Sequence, residues 1–387
     1  MLFVTFHGKI GNIYGFDETN PGSKPIKDLL EISSSQLSEL RGMLLANGFL
    51  YVVNGGKTVS NVLCCAPDPN NKNHFTQKTV FIANTLPAVN HPFDITFQEG
   101  PNQTQIWYVS DQDSNVVATF TSQSPFDATT PGSSSYLSAL LTALQNANSP
   151  LANPGFLEGT FIPTSIVGAE IPEQTTVDPS WGGLTPVFNP PNAEQDASEK
   201  KPRKQKVQNS VRGVAFSNGD LYVADEGGGA VRMYDAATGV PLGSSALKSP
   251  VHLLVHSGNL YVTSGDSIYC GACVSLPTNI PAVPASGQFS GVPAPPPYPA
   301  PPSGYTNSVT LGLSDLNLGL PKGSGPSGFA FDTSGNLYVA LRKLQQILAF
   351  SPNMHAKKGS SPFSTSSKNP IFTLQDDPEF LLWMENQ

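Results

Sequence analysis

Charge is scarce in this chain. Lys, Arg, Asp and Glu make up 13% of its 387 residues, about half the usual share. The formal net charge is −8, which argues against a general nucleic-acid partner. Long apolar runs are missing as well: none has the roughly 20 residues that a membrane-crossing helix needs. The opening residues, MLFVTFHGKIGNIYGFD, lack the basic leader and small-residue cleavage site of a signal peptide, and read as two strands. Cysteine is limited to two close pairs, Cys64-Cys65 and Cys270/Cys273. A zinc site calls for two CxxC pairs, or one with nearby His. Neighbouring side chains on a strand face opposite ways, so these cysteines read as buried strand thiols or a local disulfide. No nucleophile elbow, phosphate-binding glycine loop or HExxH helix is present.

Gly, Pro, Ser, Asn and Thr fill the gap. That mix suits a β-rich, loop-rich protein working outside the cytosol, so an extracellular or periplasmic location is expected. One phrase recurs through it: a short apolar strand, a turn on Gly or Asn, then Leu/Phe-Tyr-Val. It reads LRGMLLANGFLYVV from Leu40, VRGVAFSNGDLYVAD from Val211, PVHLLVHSGNLYVTS from Pro250 and PSGFAFDTSGNLYVAL from Pro326, with a stretched copy from Pro92. Further short strands follow each copy, as in AVRMYD from Ala230 and QQILAF from Gln345. Four short antiparallel strands per repeat predict the blades of an all-β propeller.

The ends complete one repeat between them. PEFLLWMENQ at the C-terminus has the form of a first strand with no second after it, and LFVTF at Leu2 has the form of a second strand with no first before it. Joined, they match the other copies in register. The expectation is a six-bladed ring over residues 1–387, closed by pairing the C-terminal strand with the N-terminal strands, which removes open sheet edges. Three insertions interrupt it: 121–209, with one helical pattern at Ser134–Asn148 and a basic run at Glu199–Lys206; 277–308, Pro-rich and suited to polyproline II; and 353–369, rich in Ser and Lys.

The copies at Pro326–Leu341 and Val211–Asp225 resemble the repeat of NHL and senescence-marker/gluconolactonase-like propellers. In lactonase-like members one variable position of this motif, at the mouth of the central channel, supplies acidic and amide ligands to a divalent cation such as Ca²⁺. Here that position holds Arg41, Phe93, Arg212, Val251, Ser327 and Glu379. Only Glu379 is an anionic oxygen donor, and a hard cation needs several clustered oxygens, so no cofactor is expected. Asp94 and His252 lie one position further along and are the remaining weak metal candidates beside Glu379.

Two site readings follow from these residues. Arg41, Arg212, Ser327 and Glu379 can bind an anionic ligand, since guanidinium pairs with carboxylate or phosphate; the same residues can instead form an internal ion-pair cluster. Asp94, His252 and Glu379 can form an acid/base set, since His titrates near neutrality and a carboxylate can orient it. Asp111, Asp225 and Asp332 sit at turns and read as backbone caps. Asn102 opens a glycosylation sequon. The main functional expectation is a non-catalytic scaffold that binds a protein or a small anion at the channel mouth and on the insertion-bearing face. The alternatives are a lactonase-, hydrolase- or lyase-type enzyme at the same mouth, and a self-assembling structural protein.

Overall fold

The computed structural model describes residues 1–46, 48–56, 59–68, 71–82, 91–99, 104–112, 116–123, 158–162, 211–236, 241–273, 311–353, 361–364 and 370–385. The chain is an all-β propeller. Its strands are β1 (Leu2–Phe6), β2 (Tyr14–Phe16), β3 (Leu30–Glu31), β4 (Leu40–Ala46), β5 (Phe49–Gly55), β6 (Ser60–Asp68), β7 (Asn71–Ile82), β8 (Pro92–Glu99), β9 (Thr104–Asp111), β10 (Val116–Gln123), β11 (Glu158–Ile162) and β12 (Val211–Ser217). They continue as β13 (Asp220–Asp225), β14 (Ala230–Asp235), β15 (Pro241–Ala246), β16 (Pro250–His256), β17 (Asn259–Ser264), β18 (Ser267–Ala272), β19 (Ser314–Asp315), β20 (Pro326–Phe331), β21 (Leu337–Leu341), β22 (Gln346–Phe350), β23 (Phe372–Thr373) and β24 (Pro378–Trp383).

Among the described residues these strands form six sheets, of which five have the four or more strands of a full blade. The sixth has three, in the order β2-β1-β24. Its fourth position is reduced to a single bridge, Gly15 to Ile26, so the expected six equal four-stranded blades are not what the hydrogen bonds show. One full sheet also departs from the expected pattern, because β3 adds a fifth strand parallel to β7. The ends meet as expected: β24 pairs antiparallel with β1, Leu2 opposite Trp383. The inner strands β4, β8, β12, β16, β20 and β24 touch one another in a closed cycle.

The recurring phrase has a physical origin. The Leu-Tyr-Val strands are covered on both faces by neighbouring sheets, so β5, β13 and β21 are buried along their whole length. The turns before β13 and β17 place both central residues at positive φ, Asn218 with Gly219 and Ser257 with Gly258, the backbone that matches strand twist in a two-residue hairpin. Apolar side chains gather in separate clusters between adjacent sheets. Phe363 joins one of them, so part of the third expected insertion packs on the ring. Likewise β11 lies within 121–209 yet pairs with β10. The helical pattern at 134–148, the basic run, the Pro-rich stretch, Asn102 and His355 lie outside the described residues.

Every inner strand slips register against its partner at the same place. A bulge re-aims side chains, and here it falls at the motif position carrying Arg41, Phe93, Arg212, Val251, Ser327 and Glu379. All four cysteines are free thiols. Among the described residues no helix is long and apolar enough to cross a membrane.

Candidate ligand site at the mouth of the ring

The bulges aim the motif residues at one end of the ring, where side chains from the adjoining loops meet them. Glu379 on β24 is 3% exposed and lies between two guanidiniums. Arg41 Nη1 donates to its Oε1 at 2.8 Å, and Arg342 Nη1 stands 3.1 Å from Oε2. Arg41 Nη2 donates in turn to Glu39 Oε2 at 2.5 Å. That oxygen is 3.9 Å from His7 Nε2 and 3.8 Å from His91 Nε2. On its other side Arg212 donates through Nε to Glu226 Oε2 at 2.7 Å and through Nη1 to Gln112 Oε1.

Phe93 floors this bowl. Arg41 and Arg212 lie over its ring at 5.1 and 4.8 Å, a cation–π arrangement with two guanidiniums. Beneath, Phe380 meets Phe93 at 5.2 Å, and His252 meets Phe380 at 4.9 Å and Phe329 at 4.7 Å. These rings pack the upper part of the axis.

The sequence-derived candidates fall into two groups. Arg41 and Glu379 are paired, as the internal ion-pair reading expects; Arg212 joins the same bowl through Phe93, not through Glu379. Ser327 is turned aside, its hydroxyl donating to Pro378 O at 2.7 Å. Asp94, His252 and Glu379 share no hydrogen bond or ion pair. Asp94 Oδ1 accepts the N–H of Ile95 at 2.9 Å, and Oδ2 that of Val214 at 3.1 Å. Burial pushes its carboxyl up to about 7 against these two bonds. His252 Nδ1 accepts the N–H of Phe329 at 3.3 Å, and burial pulls the imidazole down to about 3, so it is neutral at ordinary pH. Asp225 and Asp332 cap turns, at the N–H of Gly228 and of Ser334 and Asn336; Asp111 accepts the N–H of His91 at 2.7 Å.

The site also contains residues that the sequence did not single out: His7, Glu39, His91, Gln112, Glu226 and Arg342. One signal was available. Glu39 and His91 each lie two positions before a motif residue, Arg41 and Phe93. Three guanidiniums here face three carboxylates, so the mouth is close to charge balance. His91 Nε2 is 3.3 Å from Arg41 Nη2, a group that can only donate, so in this contact the ring nitrogen is the acceptor. His7 is 36% exposed, open to a ligand.

Among the described residues no group of three or more His, Cys, Asp and Glu side chains is arranged to hold a metal. A guanidinium occupies the place beside Glu379, so this donor set does not fit a divalent cation.

No family model matches the chain, and no curated protein matches it. Several solved structures are similar. A 6-phosphogluconolactonase candidate from Bacteroides fragilis has 14% identity over 99% of this chain and 97% of that one, with a TM-score of 0.48. The periplasmic gluconolactonase of Pseudomonas aeruginosa has 15% identity over 98% of each, with a TM-score of 0.44. A streptogramin B lyase has 10% identity over 82% of this chain, with a TM-score of 0.39; the chain spans 66% of that lyase's length, just under two thirds.

Proposed function

We propose that the mouth of the ring is an active site that cleaves an ester- or lactone-type C–O bond in a small polar molecule. The observation that supports it is the shared oxygen Glu39 Oε2, gripped by Arg41 and flanked by His7 and His91 at the solvent-facing edge. A carboxylate beside an exposed imidazole orients it for proton transfer. His7 takes a proton, either from an attacking water or from the carbon beside the carbonyl, and returns it to the leaving oxygen. Negative charge then develops on oxygen. Arg342 and Arg212, 34% and 19% exposed, are the guanidiniums that can reach it. Charge balance at the mouth suits a neutral or singly charged substrate. No step needs a metal.

This reading takes the ring as one domain over 1–387, located outside the cytoplasm and six-bladed, with the three-stranded closing sheet counted as a blade. The closed cycle of inner strands and the bulge repeated in each support that count.

The test is proton release by pH-stat on a panel of γ- and δ-lactones and simple carboxylic esters. Wild type should turn over at least one, and His7→Ala should lower kcat/KM by about 100-fold or more, the range for a general acid or base. A wild-type protein without turnover on the panel would leave the second reading, a non-catalytic binding module. Its favouring observation is that Arg41 and Glu379 are buried and paired with each other within the chain.

A further inference from the structure

Asp94 lies directly under the bowl and touches three inner strands at once. It follows Phe93 on β8. Its Oδ2 accepts the N–H of Val214 on β12, two residues after Arg212. On the other side it packs on Gly42 of β4, the residue after Arg41: a Cβ added there would lie 2.4 Å from Asp94 Oδ1. The three strands it joins therefore carry the two guanidiniums and the ring between them.

We propose that Asp94 is a positioning residue: its carboxylate ties β12 to β8 and thereby seats Arg212 over Phe93, so losing this acceptor unseats Arg212. Its consequence for ligands rests on the mouth being the site proposed above; the seating itself does not.

A carboxylate accepts strongly with both oxygens, whereas the hydroxyl oxygen of a carboxyl group is a weaker acceptor that also carries a donor. Protonation therefore weakens one of the two N–H bonds, and the longer one, to Val214, is the one to yield. Asp94 titrates near neutrality, since burial pushes its carboxyl up to about 7. The groups around it contribute no competing charge to that titration. β9 presents the Ser110 hydroxyl, which accepts the Asp94 N–H, and Asp111, engaged with the His91 N–H. β4 presents Gly42, with Arg41 turned up over Phe93; β12 presents Gly213 and Val214, with Arg212 turned the same way. His7 and His91 belong to the bowl above.

The experiment is NMR on the full chain labelled at Asp, Arg and Val, from pH 5 to 9. The Asp94 carboxyl carbon, the Val214 amide and the Arg212 Nε–H should shift together, with one midpoint near 7. In Asp94→Asn the pH-dependent shifts of Arg212 and Val214 should be lost. A wild-type Arg212 signal that stays flat while Asp94 titrates would overturn the proposal, as would an Asp94 midpoint near 4. The wild-type co-titration decides the matter even where Asp94→Asn does not fold. In a catalytically active protein, KM should rise as pH falls through the midpoint, and Asp94→Asn should show the high KM throughout. An inactive wild type with full co-titration would sink the proposed activity and leave the positioning role standing.

Discussion

Two rings of residues lie one position apart on the same six strands, and they follow different rules. The upper ring is Arg41, Phe93, Arg212, Val251, Ser327 and Glu379: three charges, two apolar residues and a serine, in no repeating order. The lower ring is Gly42, Asp94, Gly213, His252, Gly328 and Phe380, and it alternates strictly between glycine and a bulky side chain. The partner strands follow the same alternation at the bulge. Thr5, Ser110 and Thr263 accept the N–H of Phe380, Asp94 and His252 at 3.1, 3.1 and 2.9 Å, whereas Val53, Ala224 and Ala340 stand beside the glycines. A regular ring is what packing around an axis demands. Irregular, charged residues on the same backbone do not improve packing, and a departure from the local rule marks where a ligand has its claim. Packing of the axis thus belongs to the lower ring, and the candidate ligand site is built on the upper one.

The lower ring should break first. A Cβ at Gly213 would come within 2.7 Å of Leu253 N and Val251 O, and one at Gly328 within 2.7 Å of Glu379 O. These are backbone atoms of the next inner strand, so no side chain can swing away. Gly213→Ala should cost at least about 3 kcal/mol, at the upper end for overpacking, read by urea unfolding. Stability within about 1 kcal/mol of wild type would show that the inner strands can part freely, and the packing account of the alternation would be wrong.

His252 sharpens the comparison through pH. Burial holds it at about 3 in the folded chain, against 6.5 when exposed. The unfolded chain therefore takes up a proton that the folded one refuses. The stability due to neutral His252 is fully present above about 6.5 and is lost as pH falls from there toward 3. At pH 4 this loss amounts to about 3 kcal/mol, at about 1.4 kcal/mol per unit. His252→Phe keeps an aromatic ring between Phe329 and Phe380 and removes the titration. The variant should give up the Phe329 N–H acceptor, about 1 kcal/mol at neutral pH, yet hold its stability better than wild type from pH 6.5 to 4. An equal slope in both proteins would place the acid-sensitive group elsewhere. Asp94 has the opposite sign: its raised value makes the folded chain the better proton binder between about 4 and 7, so its contribution falls as pH rises through that window.

The two rings also differ in how far the sequence reveals them. The hairpin phrase is legible because doubly covered strands must be apolar throughout and because Asn-Gly turns admit few backbones. Ring closure is legible because Pro378–Trp383 and Leu2–Phe6 are complementary halves of one repeat. The outer strands are harder to see: β19 and β23 have two residues each, and the closing sheet has only the Ile26 bridge. The repeat aligns Arg41, Arg212 and Glu379 at one motif position, and the resemblance to lactonase-like propellers puts that position at the mouth. The repeat misses His7, Glu39 and His91, on loops just beyond the strand ends, and Arg342, in a short 3-10 turn after β21, where no period operates. Their contacts join distant positions, as the 338-residue separation of Arg41 and Glu379 shows. Asp94 and His252 look like an acid/base set when judged by residue type alone. The glycines at 42, 213 and 328 were the sign that this position is governed by packing.

The upper ring should yield least in stability. Glu379→Gln retains volume and one acceptor oxygen for Arg41 Nη1, and Arg41 keeps Glu39. What is lost is a negative charge between two guanidiniums, one buried and one about a third exposed. Removing one partner from a fully buried pair costs about 3–5 kcal/mol; with an acceptor retained and Arg342 partly in water, about 1–2 kcal/mol is expected, read by urea unfolding at pH 7. The cost should shrink little with salt, because the Arg41 contact is shielded from solvent. The same variant separates the two functions of the mouth. If Glu379 only neutralises Arg41, turnover on the lactone and ester panel should survive within a few-fold, since His7 and Glu39 are untouched. A collapse of turnover with stability intact would move Glu379 from the frame of the bowl into its chemistry, and the division between the rings would then run between frame and ligand contact within the upper ring itself.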